Sequence, residues 1–194
     1  MDKDKSVGLR KAWEEGCVMG KYLIEKGRAE DIDSLGALYD ELNDYLESHV
    51  NYPGWAKGIY PVRETAVDGI REGTLFVVRH EGRIVGSVIL SHEPEDAYEE
   101  GGWLTDADYD RIIIIHTLVV HPEFIGKGIG KILMDFATEY ARAKGMVSIR
   151  LDVREENAPA IALYERYLYK YVGTVDLRLG IPGLKWFRLY ELVL

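Results

Sequence analysis

The passage from Arg111 to Gly130 constrains this chain more than any other part of it. Ile112-Ile113-Ile114-Ile115 is uninterrupted within Arg111 to Val120, the most strongly apolar strand candidate. Continuous rather than alternating hydrophobicity is the pattern of a central strand covered on both faces. His121-Pro122 ends the run, and Gly126, Gly128 and Gly130 then alternate through a loop that leads into a helix. Ile129, Ile132, Leu133, Phe136, Ala137 and Tyr140 form that helix's apolar stripe, which closes at Gly145. The glycines let the backbone turn tightly and lie against a ligand. The amides of Gly128, Ile129, Gly130 and Lys131 project from the positive end of the helix, a geometry that suits a diphosphate, and Lys127 adds a charge beside them.

Spaced glycines serve several chemistries, and the flanking residues separate them. A Walker A loop ends in Gly-Lys-Ser/Thr, whereas Gly130-Lys131-Ile132 lacks the metal-binding hydroxyl. A dinucleotide-binding unit needs an acidic residue on the next strand, and Asp152, 22 residues past Gly130, has that spacing. Against it, the glycine loop lies in mid-chain, with one helix and two strands after its own strand–helix–strand unit. A glycine-rich helix cap without a ligand also remains open at this point.

Charge and cysteine content exclude other classes. The 194 residues carry 24 Lys and Arg against 33 Asp and Glu, a formal net charge of −9. Sequence-independent binding to a phosphate backbone needs a basic surface, so no nucleic-acid partner is expected, and a cationic amine suits the surface better. Cys17 is the single cysteine, which excludes an intramolecular disulfide and a zinc site built on cysteine pairs. No His and carboxylate groups recur at metal-ligand spacing, and no metal is expected. The start, Met1-Asp2-Lys3-Asp4-Lys5, lacks the apolar run of a secretion signal, and no 18-residue apolar stretch occurs. The expectation is a soluble, cytoplasmic protein without a membrane partner.

Periodicity organises the rest. Residues 1–20 mix charge and glycine and read as an N-terminal extension; 21–194 read as a single domain. Tyr22-Leu23-Ile24 opens a strand, residues 30–48 an amphipathic helix, Thr65–Glu72 a short helix, and Thr74–Arg79 with Ile84–Leu90 a hairpin turning at Glu81-Gly82. The acidic stretch His92–Asp110 reads as an exposed loop or hairpin tip. Val147–Val153 is a strand, and Asn157 caps the helix behind it, with Pro159 in its first turn. Tyr171–Leu177 and Lys185–Val193 are the last two strands. The order is strand, two helices, three strands, helix, strand, helix, two strands, an α/β (α+β) chain with helices flanking a central sheet.

These motifs together resemble the GCN5-related N-acetyltransferase (GNAT) superfamily, in its small bacterial type. Residues 125–130 are similar to its acyl-CoA signature, Gln/Arg-x-x-Gly-x-Gly/Ala, in both glycines. Leu118-Val119-Val120-His121-Pro122 resembles the segment before it, and Asn157-x-x-Ala160-x-x-Leu163-Tyr164 the second motif. The likeness covers residues 21–194. Ile125 departs from the usual Gln or Arg, which removes a side-chain contact but leaves the backbone cradle. Leu168-Tyr169 departs from a common Gly-Phe.

The resemblance implies a GNAT-like acyl-CoA acyltransferase fold with a mixed, mostly antiparallel sheet. It also implies direct transfer of an acetyl group from acetyl-CoA, as cosubstrate, to the primary amine of a small molecule or peptide. Backbone groups of Leu118, Val119 and Val120 would pair with the pantetheine arm. Ile125, Gly126, Lys127, Gly128, Ile129, Gly130, Lys131 and Asn157 would hold the nucleotide end. Tyr164 matches the general acid toward the leaving sulfur, with core packing as its plain alternative. His116, whose ordinary pKa near 6.5 suits proton removal, is the candidate base, and His121 is expected to shape the turn before the loop. Tyr52, Trp55, Tyr60 and Glu93 are expected in the acceptor wall. The last strands are where a homodimer contact is expected. A non-catalytic acyl-CoA sensor or scaffold is the alternative reading, consistent with Ile125.

Overall fold

A computed structural model describes residues 16–194. Among these residues eight strands form one sheet: β1 Cys17–Met19, β2 Tyr22–Lys26, β3 Leu75–His80, β4 Arg83–Ser91, β5 Ile112–Val120, β6 Ser148–Arg154, β7 Lys170–Asp176 and β8 Trp186–Val193. Their spatial order is β1-β2-β3-β4-β5-β6-β8-β7. Every neighbouring pair is antiparallel except β5 and β6, which run parallel. Among the described residues, four α-helices flank the sheet: α1 Ile32–Ser48, α2 Arg63–Arg71, α3 Ile129–Lys144 and α4 Ala158–Arg166. The mixed, mostly antiparallel sheet with flanking helices is the architecture expected from the sequence.

The four-isoleucine run shows why β5 is central. Strand residues alternate between faces, so Ile113 and Ile115 pack under α3 and α4, while Ile112 and Ile114 face a separate cluster on the other side. Phe76 and Val78 of β3 join the first face; Leu75 and Val77 join Leu35, Leu38, Tyr39 and Leu42 of α1 on the second. Each of these apolar residues therefore has a buried destination, and removing apolar surface from water on both faces drives the layering.

Two expectations need correction. Residues 1–15 of the expected extension lie outside the described residues, but Cys17–Met19 is an edge strand paired with Tyr22–Ile24. The stretch His92–Asp110 is not an exposed loop. Ala97 and Tyr98 are buried in it, and with Trp103 and Tyr109 they cover Ile112, Ile114, Val175 and Leu189. All its carboxylates but Glu95 stay at the surface while its aromatics fold inward, so acidic composition concealed a second cover for the sheet.

Candidate active site

The parallel pair comes apart. β5 and β6 are in register only from Ile112 with Ser148 to Ile115 with Leu151. Beyond that point β5 stays with β4, through Val119 with Ser87 and Val120 with Gly86, and β6 stays with β8. A bulge drives the divergence: between Ile89–His116 and Ser87–Val119, β5 carries one residue more than β4. Thr117 takes φ 46°, a strained conformation for a β-branched residue, and its Oγ1 is hydrogen-bonded to the Tyr60 hydroxyl. Residues 116–120 thereby present one backbone edge to an opening rather than to a strand.

A cavity of about 640 Å³ passes through this opening. Ala160, Leu163 and Tyr164 of α4 line it on one face of the sheet, and Leu42 and Leu46 of α1 on the other. Ile115, Leu118 and Val120 line the passage between them.

The glycine loop flanks the first face. Gly126 and Gly128 have φ 77° and 87°, left-handed conformations that favour glycine, and Gly128 caps α3. Gly130 has an ordinary backbone, where a Cβ would lie 3.4 Å from Leu163. The cradle is held by its surroundings. Ile129 is buried against Gly86 of β4, where a Cβ would come within 2.7 Å of the Ile129 side chain. His121 Nδ1 accepts from the Glu123 amide at 3.1 Å, so it shapes the turn, and Arg83 pairs with Glu123 at 2.7 Å. The first-turn amides of α3, those of Ile129, Gly130 and Lys131 among them, have no acceptor inside a helix and aim outward. The Lys127 ammonium lies over the Phe124 ring at 4.8 Å, while that of Lys131 is paired with Asp135 at 2.7 Å. Ile125 is exposed and lines the cavity mouth. Asn157 lines the cavity and accepts from the Ala160 amide at 3.3 Å, capping α4. Val119 does not line it: its side chain is buried toward α1, leaving only its backbone for the opening.

Tyr164 is buried and faces the cavity. Burial and then the nearby charge of Asp152 push its phenol well above the ordinary tyrosine value, so it carries its proton across the physiological range. The opposite side of the passage is acidic. Asp152 is oriented by the Tyr98 hydroxyl, which donates to Oδ1 at 2.8 Å. Burial raises its carboxyl, while His116 and the Tyr98 hydrogen bond act to lower it. His116 lines the same space, with Nε2 3.2 Å from the Glu93 carbonyl oxygen. Glu93 itself does not line the cavity; its side chain is exposed, and Glu95 occupies the wall position expected of it. Tyr52, Trp55 and Tyr60 all line the wall, with the Trp55 and Tyr60 rings edge to face at 5.7 Å.

Sequence reasoning missed Asp152 as a member of this site. Asp152 stood out only as a spacing, and its one local signal is the alternation of β6: Leu151 and Val153 point into the core, and Asp152 to the other face. Among the described residues, no group of three or more His, Cys, Asp and Glu side chains is placed to hold a metal, and no helix is long and apolar enough to cross a membrane.

A parallel pair splayed at a bulge, with a glycine cradle at the helix behind it, opens a passage through the sheet beside a row of outward-facing helix amides. The profile of the acetyltransferase (GNAT) family matches residues 35–168, and the chain belongs to that family. It is 31% identical over 134 residues to an uncharacterized N-acetyltransferase of Methanocaldococcus jannaschii, a match spanning 66% of this chain and 55% of that protein. Over 65 residues, 34% of each chain, it is 37% identical to streptothricin acetyltransferase of Streptomyces lavendulae. A GNAT-family acetyltransferase structure from Streptococcus agalactiae superposes with TM-score 0.69 at 20% identity, covering 91% of this chain and 98% of that one. Ard1 from Thermoplasma volcanium superposes with TM-score 0.65 at 18% identity, covering 90% and 98%. At these identities the structural matches show the fold.

Proposed function

We propose that the protein transfers an acetyl group from acetyl-CoA to a primary amine of a small molecule or peptide, both bound at once. The observation that carries this reading is the cavity running through the splayed β5–β6 pair. It lets a thioester approach from the α3–α4 face and an amine from the α1 face, meeting beside the free edge of residues 116–120. Acetyl-CoA, when bound, supplies an acetyl group activated as a thioester. The first-turn amides of α3 and the turn at Gly126–Gly128 fit its diphosphate, and the edge of Leu118–Val120 fits the amide-bearing arm.

The chain's own groups divide the proton work. Asp152, with His116 beside it, takes a proton from the incoming ammonium, and burial has moved its carboxyl upward in the direction a base needs. A backbone N–H at the β5 bulge donates to the carbonyl oxygen as negative charge grows there. Tyr164, on the other face and still protonated, donates to the departing sulfur.

Calorimetric titration with acetyl-CoA, paired with turnover of Tyr164→Phe, tests this. The expected results are saturable 1:1 binding by both proteins and a kcat lowered about 10²-fold in the variant. Absence of binding by folded protein sinks the reading, and unchanged turnover in Y164F removes the tyrosine from the chemistry.

A further inference from the structure

The acceptor half of the cavity differs sharply from the molecule's surface, and that contrast bears on what enters. Although the whole chain is strongly acidic, Glu95 and Asp152 are, among the described residues, the only carboxylates lining the cavity, and both belong to its acidic corner beside the passage. Apart from its tyrosines, His49 and Arg154, the rest of the acceptor side is apolar: Leu42 and Leu46 of α1, Trp55, and Leu177, Leu184 and Phe187 from the β7–β8 end. Val50, 65% exposed, and Leu179, 39% exposed, continue that apolar lining to the surface. An exposed apolar rim around a concave site is unfavourable in water unless a ligand covers it.

The site is also roofed. The 51–54 loop and the 177–184 loop meet above it, so closely that a Cβ on Gly54, at φ 76°, would collide with Leu184 Cδ2. Arg154 fastens the roof from below, donating from Nη1 to the carbonyl oxygens of Asn51 at 3.1 Å and Tyr52 at 3.4 Å. These joined loops narrow the space above the acceptor side.

Resting on the acetyl-transfer reading, we infer that the acceptor is a compact primary amine with one cationic head and an apolar aryl or branched-alkyl body. The head meets Asp152 and Glu95, and the body fills the chamber under the roof. Polycationic amines place their further charges against Leu, Trp and Phe, away from the Asp152–Glu95 corner, which costs desolvation. Peptide N-termini carry polar backbone into the same apolar space.

The test compares 2-phenylethylamine, spermidine and an alanine-initiated tetrapeptide as acceptors for the full chain, reading CoA thiol release. The expected kcat/KM for 2-phenylethylamine exceeds the other two by about tenfold or more. Val50→Lys, a change at an exposed position, is expected to raise KM for 2-phenylethylamine about fivefold while leaving the acetyl-CoA dissociation constant unchanged. Preference for spermidine or the tetrapeptide, or turnover of none of the three, overturns the inference. Saturable acetyl-CoA binding in the same preparation confines that failure to the acceptor assignment; without binding, the acetyl-transfer reading falls with it.

Discussion

Asp152 illustrates how one residue acquires a role that its neighbours in sequence do not announce. It lies on a strand whose alternate positions, Ile149, Leu151 and Val153, face the core on the opposite side. Only the folded chain brings Tyr98 and His116 to it. Its carboxyl is raised chiefly by burial, so the ionised form is disfavoured in the folded protein. The sign follows: this group favours folding at low pH, and that contribution is lost as pH rises through its folded pKa. Asp152→Asn keeps an acceptor for Tyr98 and removes the penalty. We expect D152N to melt at the same or a higher temperature than the parent at pH 7, with the difference vanishing toward acid. Its kcat/KM should fall by about 10²–10⁴-fold, and the rising limb of the pH–rate profile should disappear. Thermal melts at several pH values beside the rate profile check both halves.

At the level of elements, the glycine loop and the 92–110 segment make opposite cases. The loop was legible because its constraint is local: glycines at 126 and 128 adopt positive φ, and the strand before and helix after fix its direction. The 92–110 segment was not, because what folds it is remote. Glu191 of β8, fully buried, accepts from Arg150 Nε at 3.0 Å, Ser148 Oγ at 2.7 Å and Thr105 Oγ1 at 2.6 Å. Arg150 in turn donates to the Thr105 carbonyl oxygen at 2.7 Å and lies 4.3 Å from the Trp103 ring centroid. Burial opposes ionisation of Glu191, but the hydrogen bonds from Thr105, Ser148, Arg150 and the Leu104 amide outweigh it and hold its carboxyl below the ordinary value. That stability is present above the usual carboxylate range and lost as pH falls through the lowered pKa. Arg150→Met strands the carboxylate and should cost about 3–5 kcal/mol in urea unfolding at pH 7. Pairing it with Glu191→Leu should restore much of the loss, which separates an uncompensated charge from lost packing.

For the whole molecule, net charge and site charge act on the two substrates in opposite directions. An excess of nine negative charges attracts a cationic amine and repels anionic acetyl-CoA, and both effects weaken with salt. We expect kcat/KM for a cationic acceptor to fall about three- to tenfold between 0.02 and 0.5 M salt. The association rate of acetyl-CoA should rise over the same range. Stopped-flow binding and steady-state rates at matched ionic strengths measure each, and two trends of the same sign would contradict the assignment of charges.

What the sequence by itself determined is what local chemistry determines. A continuous apolar strand must be central, glycines must make the tight turn, and periodic stripes must face a sheet, so the order of elements, the cradle and Tyr164 on its helix were readable from Ile112 to Leu168. What only the tertiary structure decided depends on pairing between distant strands. Where β5 parts from β6 is set by a bulge at Thr117 held by Tyr60, and the acidic corner assembles Asp152, His116 and Glu95 from separate elements. The roof over the acceptor is a contact between loops more than a hundred residues apart, Gly54 on Leu184. No local propensity encodes such contacts, because each is fixed by the packing of the rest of the chain.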